Sequence, residues 1–143
     1  MTREIKFRGK IAFGGYNGGD GWIYGNLIDS PTHPSIQEVK GLGNDFYHLP
    51  RTEVAPKSVG QFTGLHDKNG KEIYEGDIVQ FNGKFFTGNN IFCVDYECSH
   101  RGGFSLCTKD GYYSMFGEAW LEPFYCEVIG NIHDNPELLK GGE

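Results

Sequence analysis

Strict alternation opens the chain: in Glu4-Ile5-Lys6-Phe7-Arg8 the apolar Ile5 and Phe7 interleave with the cationic Lys6 and Arg8. A period of two is the signature of a half-buried strand, so Ile5 and Phe7 are expected inward and Lys6 and Arg8 toward water. The glycine-rich run Gly14-Gly15-Tyr16-Asn17-Gly18-Gly19-Asp20-Gly21 reads as a turn region, and Trp22-Ile23-Tyr24-Gly25-Asn26-Leu27-Ile28 reads as a second strand. That strand stops at Ser30-Pro31-Thr32-His33-Pro34, where two prolines remove ladder donors. Further short strands are expected over residues 36–39 and 46–49. Val54-Ala55-Pro56-Lys57 marks a boundary between a first β subdomain, 1–58, and a second, 59–143.

The middle of the chain alternates strands and turns most clearly. Residues 59–63 form a short strand, and Asn69-Gly70 is the favoured dipeptide of a two-residue hairpin turn with positive φ at both positions. Residues 72–74 return as a strand, and Glu75-Gly76-Asp77 turns the chain into Ile78-Val79-Gln80-Phe81. At the level of fold analogy, residues 59–81 resemble the small curled barrels of the SH3-like kind. Asn82-Gly83-Lys84 and Lys109-Asp110-Gly111 are further turns, with strands expected over 91–96, 103–108, 112–116 and 124–132. The tail carries the clear helical signal: Asp134 or Asn135 as cap, Pro136 in the first turn and Gly141 as the stop. The expectation is an all-β, antiparallel, short-strand, barrel-like fold with a short C-terminal helix.

Three segments carry a resemblance. They are Arg3-Glu4-Ile5-Lys6-Phe7-Arg8-Gly9-Lys10, the run from Val59 to Val79 containing Gly64-Leu65-His66-Asp67-Lys68-Asn69-Gly70-Lys71 and Glu75-Gly76-Asp77, and Glu127-Val128-Ile129-Gly130-Asn131-Ile132-His133-Asp134-Asn135-Pro136. Together with Trp22-Ile23-Tyr24-Gly25, the chain resembles the YopX protein family, small proteins carried by bacteriophages and prophages of Gram-positive bacteria. The resemblance implies a mostly β, barrel-like fold, self-association and a place in the host bacterial cytoplasm. It brings no catalytic residue and no cofactor. The residues of the middle motif are accounted for by backbone geometry instead. Gly64, Gly70 and Gly76 sit where the chain reverses, while Asp67, Asn69 and Asp77 are suited to bonding nearby amides in turns.

Composition narrows the function. The chain has 143 residues with 22 Gly, 11 Phe and 8 Tyr, which opposes disorder and suits strands joined by tight loops. No stretch reaches the ~18–20 apolar residues of a membrane span, and the charged N-terminus lacks a signal-peptide core. Reduced thiols in the cytoplasm are therefore expected for Cys93, Cys98, Cys107 and Cys126. Charge is uneven: residues 1–58 hold seven Lys/Arg against six Asp/Glu, and 59–143 hold six against thirteen, giving the net −6. An acidic second half repels phosphate backbones.

No chemistry-bearing constellation emerges. Cys93 and Cys98, with His100, lack the close pair of a zinc knuckle, and the run from Asp67 lacks the Gly and Glu of a calcium loop. The histidines His33, His48, His66, His100 and His133 form no ligand pair, and Glu118, Glu122 and Glu127 read as an acidic edge. Glu75, Asp77 and His66 would matter for an enzyme only if they met in a pocket. Among Trp22, Tyr24, Tyr112, Tyr113, Phe116 and Trp120, any left exposed would mark an interface. The reading is a non-enzymatic module without a metal or other cofactor, binding itself or a host or phage protein. The alternative is a nucleic-acid binder using Arg3, Lys6 and Arg8 with Trp22 and Tyr24.

Overall fold

The computed structural model describes residues 4–12, 21–42, 44–81, 90–96, 103–108, 111–115 and 125–140. The chain divides into two compact units, Met1–Phe62 and Thr63–Glu143.

In the first unit, β1 (Phe7–Lys10), β2 (Trp22–Ile28), β3 (Ser35–Gln37), β4 (Val39–Leu42), β5 (Asp45–His48) and β6 (Thr52–Glu53) precede a 3-10 turn at Pro56–Ser58. The chain then enters β7 (Gly60–His66), and the division between the units falls inside that strand. The sheet of the unit runs β6-β3-β2-β1-β7, with antiparallel neighbours, while β4 and β5 form a separate two-stranded ribbon. Among the described residues, Ile36, Val54 and Phe62 are its fully buried apolar residues. Gly9 is required by that packing: a Cβ there would sit 2.7 Å from the Val54 side chain.

The second unit contains the end of β7 with β8 (Glu72–Tyr74), then β9 (Asp77–Phe81), β10 (Ile91–Asp95), β11 (Ser105–Thr108), β12 (Gly111–Met115), β13 (Cys126–Asn131) and the short α1 (Glu137–Lys140). Five strands form an antiparallel sheet in the order β12-β11-β10-β9-β13. Its core gathers Ile73, Val79, Phe81, Phe92, Val94, Leu106 and Cys126, with Phe81 and Phe92 edge to face at 5.9 Å.

The mainly β, antiparallel class and the short terminal helix are as the sequence leads one to expect; the barrel is not closed. Among the described residues the five-stranded sheet is open, ending on β12 and β13. The SH3-like analogy fails at one step. After the β7–β8 hairpin the turn at Glu75-Gly76 does not fold β9 back onto β8; it hands β9 to the other sheet, between β10 and β13. Gly76, at φ +92, makes that step. Its N–H donates to the Val94 carbonyl at 2.7 Å and its carbonyl accepts from Ile132 N–H at 2.9 Å. Asp77 closes the same turn by accepting Tyr74 N–H at 2.7 Å.

The turn between β7 and β8 also differs from the expected two-residue form. Gly70 N–H donates to the Asp67 carbonyl at 3.0 Å, so Lys68 and Asn69 are the central residues and Gly70, at φ +81, takes the left-handed position after them. The Asp67 side chain explains the longer loop. Its Oδ1 accepts Asn69 N–H at 2.8 Å and Lys71 N–H at 2.9 Å. Its Oδ2 accepts Val128 N–H of β13 at 2.9 Å, across 61 residues of sequence.

Asp67 is only 5% exposed. Burial opposes its charge, but the three backbone donors from Val128, Lys71 and Asn69 outweigh it and hold the carboxyl below its ordinary value. A group with a lowered folded pKa stabilises above its unfolded pKa, and that contribution disappears as pH falls through the folded value. Asp67→Asn should therefore destabilise the protein by about 2–3 kcal/mol near neutral pH, because a buried, charge-assisted acceptor of three backbone donors is lost. Urea unfolding at pH 7 and in a descending series below pH 4 measures this; the gap between wild type and variant should narrow in acid. A gap that stays constant into strong acid would contradict the assignment.

Candidate functional site

Arg8 and Lys10 of β1 alternate, with Lys6 just before the strand, so Arg8 and Lys10 share one face with their cross-strand neighbours on β2. The register Arg8↔Tyr24 and Lys10↔Trp22 places both aromatics on that face. Arg8 Cζ stands 4.5 Å from the centre of the Trp22 ring and Lys10 Nζ 5.7 Å from it, while Lys6 Nζ lies 5.3 Å from the Phe62 ring. The structure therefore brings Lys6, Arg8, Trp22 and Tyr24 together; Arg3 lies outside the described residues.

The expectation that this face is solvated does not hold. Arg8 is 5% exposed, whereas Ile5, assigned inward by the alternation, is 63% exposed. Hydrophobic stems and planar or compact cations let Arg and Lys cover aromatic rings, so alternation located the strand but misjudged Arg8, which is buried, while Phe7, Lys6 and Lys10 are half-buried alike. Lys6 further pairs with Glu4 at 3.3 Å, and the Lys10 backbone N–H donates to Ser58 Oγ at 2.7 Å.

Beside this face lies a cavity of about 330 Å³ lined by residues 4–6, 24–26 and 38–40. Its origin is a break in pairing. The β1–β2 ladder runs from Lys10↔Trp22 only as far as Phe7↔Gly25, and from Asn26 onward β2 pairs with β3. Gly25 permits the change: a Cβ at this position would clash with the Gln37 carbonyl oxygen. Ile5, Tyr24 at 39% and Val39 at 42% exposure border the opening. Sequence reasoning reached Tyr24 but missed Glu38, Val39 and Lys40. The signals were the glycine interrupting the second strand and a repeated acidic–branched–basic order, Glu4-Ile5-Lys6 and Glu38-Val39-Lys40.

The remaining candidates are placed as follows. Gly64, Gly70 and Gly76 adopt φ +84, +81 and +92. Asp77 is 2% exposed and serves the Tyr74 amide, while His66 is exposed, and none of His66, Glu75 and Asp77 lines the cavity. Burial and the nearby Asp95 carboxylate push the Cys93 thiol up to about 11. Burial and Asp67 push Cys126 up to about 12. Both are free thiols, but Cys107 is disulfide-bonded, which corrects the expectation of four reduced cysteines. Among the described residues no group of three His, Cys, Asp or Glu could hold a metal ion. Cys98, His100, Phe116, Glu118, Trp120 and Glu122 lie outside the described residues, as do the turn at 82–84, Lys109, Asp110 and Gly141. Tyr112 and Tyr113 lie on β12.

Because Arg8 is buried over a ring, Arg8→Ala should destabilise the protein by about 1–2 kcal/mol, through lost packing and lost cation–π contact. Lys40→Ala, at an exposed position, should stay within about 0.5 kcal/mol. Chemical denaturation of the two variants side by side measures the contrast, and equal effects would contradict it.

Comparison with known proteins follows the same architecture. The crystal structure of protein EF1440 from Enterococcus faecalis is similar, with a TM-score of 0.55 over 96% of this chain and 99% of that chain at 24% identity. At that identity the likeness concerns the fold alone. No curated protein matches the chain. The family model described as YopX protein matches residues 20–140, taking in β2, the cavity-lining ribbon, the Asp67 turn and the terminal helix. By that match, the chain belongs to the YopX protein family.

Proposed function

We propose that this chain is a non-enzymatic accessory module, of bacteriophage or prophage type, that works in the host bacterial cytoplasm by binding a protein partner or a second copy of itself. The observation that carries this reading is the apolar exposure of the first unit. Ile5 is 63% exposed, Tyr47 59%, Val39 42% and Tyr24 39%. Branched and aromatic side chains standing among charged neighbours have the composition of a protein contact surface.

Electrostatics favours the same side. The net charge of −6 opposes approach to a phosphate backbone, and the Arg8 guanidinium is buried over Trp22. The nucleic-acid reading thus has less exposed charge behind it than the sequence of β1 suggests. Asp67 and Asp77, the best-placed carboxylates of the second unit, are committed to backbone amides, which suits architecture better than acid–base work. Among the described residues no helix is long and apolar enough to cross a membrane.

Tagged protein expressed in a Gram-positive host and pulled down with and without nuclease tests this reading, with sedimentation of the pure chain beside it. A protein partner or a discrete oligomer that survives nuclease, and weakens in the Tyr47→Ser variant, is expected. Recovery of nucleic acid alone, or a strict monomer with no retained protein, would overturn the proposal.

A further inference from the structure

We infer that Asn69-Gly70, in the turn between β7 and β8, is a covalent modification site: Asn69 deamidates through a cyclic imide, at a rate set by the turn that Asp67 holds. The chemistry is separate from the partner-binding reading and asks for no reactant except water.

The reaction needs a backbone nitrogen that can reach the carbonyl carbon of the preceding side chain. Asn69 and Gly70 are both exposed, so water and base have access to the turn. Glycine shields its own nitrogen least, and a Cβ added at Gly70 would meet nothing within 4 Å. The Gly70 N–H gives up its proton to base, and the nitrogen attacks Asn69 Cγ. A new bond joins Cγ to that nitrogen, the bond from Cγ to the side-chain amide nitrogen breaks, and ammonia leaves with a proton. Water then opens the imide at either carbonyl, with no change in oxidation state. Opening at Cγ leaves Asp; opening at the main-chain carbonyl leaves isoaspartate, whose main chain runs through Cβ and Cγ.

The same turn restrains the attack. Gly70 N–H donates to the Asp67 carbonyl at 3.0 Å, so the nucleophile is occupied while the turn is closed. Asp67 Oδ1 pins the main chain on both sides, accepting Asn69 N–H at 2.8 Å and Lys71 N–H at 2.9 Å. The reaction therefore proceeds from the opened turn, and the fraction of time spent open sets its rate.

The products act back on the turn. Isoaspartate adds a carbon to the main chain between the two amides that share Oδ1, so that oxygen no longer holds both. Either product places a new carboxylate close in sequence to the buried Asp67 carboxylate, which like charge opposes. Because Asp67 Oδ2 also accepts Val128 N–H, loosening the turn loosens β13. Modification of one exposed residue thus lowers the stability of the second unit.

The full chain, folded or in urea, is incubated in warm, mildly alkaline buffer and cleaved with a glutamate-specific protease. Peptide mapping separates Asn69 from Asn17-Gly18 and Asn82-Gly83, which carry the same dipeptide. The peptide containing residue 69 should gain one mass unit and accept methyl groups from an isoaspartyl methyltransferase, about tenfold more slowly in the folded chain than in urea. Hydrogen exchange at the Gly70 amide should show protection equal to that rate ratio within a factor of about three. Asn69→Gln should abolish the labelling of this peptide. Chain modified at residue 69 alone, separated by its extra negative charge, should unfold at a lower urea concentration. Absence of product at residue 69 in the folded chain, equal rates in the folded and unfolded chains, or amide protection that departs from the rate ratio would overturn the proposal. So would modified chain that unfolds at the same urea concentration as the unmodified one.

Discussion

One carboxylate organises the second unit. Asp67 offers two oxygens to three backbone N–H groups, two within its own turn and the third on β13. The adjacent Lys68 N–H donates to the Cys126 carbonyl at 2.9 Å, so the turn is fastened to β13 at two points. A buried carboxylate is tolerated only when its lone pairs are met, and here the donors that meet them also fix where the strand lies. The local turn and the long-range placement of β13 are thus one interaction. Replacing the side chain would leave backbone amides of the turn and of β13 without their acceptor at once.

What the sequence made legible follows from how local each constraint is. The reversals at Gly64, Gly70 and Gly76 could be read because positive φ is a property of single residues. The turn-forming habit of Asp67 could be read too, but its bond to Val128 could not, since nothing local ties residues 61 positions apart. For the same reason the hairpin β7–β8 was visible while the partner of β9 was not. Its neighbours β10 and β13 are chosen by the burial of Val79, Phe81, Phe92 and Cys126 in one core.

The first unit shows a different limit. Period two identifies a strand but does not say which face is inward, and apolarity is normally taken to decide. Here Lys6, Arg8 and Lys10 each find an aromatic ring, whereas Ile5 is left facing water beyond the end of the ladder. The rule failed because the sequence pattern ranks cations as polar, while the folded strand uses them as flat or long covers for Trp22 and Phe62. The cavity escaped notice for a related reason. It depends on where pairing stops, and that is set by the contact between Gly25 and Gln37 across two strands.

Edges distinguish the two units further, each taken by itself. An unpaired strand edge invites another strand, and folded proteins blunt it with charge, short length or a covering segment. In the second unit the outer side of β13 is covered by a turn, with Val128 N–H and Cys126 C=O both occupied by Asp67 and Lys68. In the first unit β4 and β5 pair only with each other among the described residues, and Val39, Lys40, Gly41, Asp45, Tyr47 and His48 are all exposed. A two-stranded ribbon is marginal in water on its own, so it gains most from a further strand or surface laid against it. The second unit therefore uses its polar chemistry to cover one edge of its sheet, while in the first the two-stranded ribbon keeps its described side chains exposed.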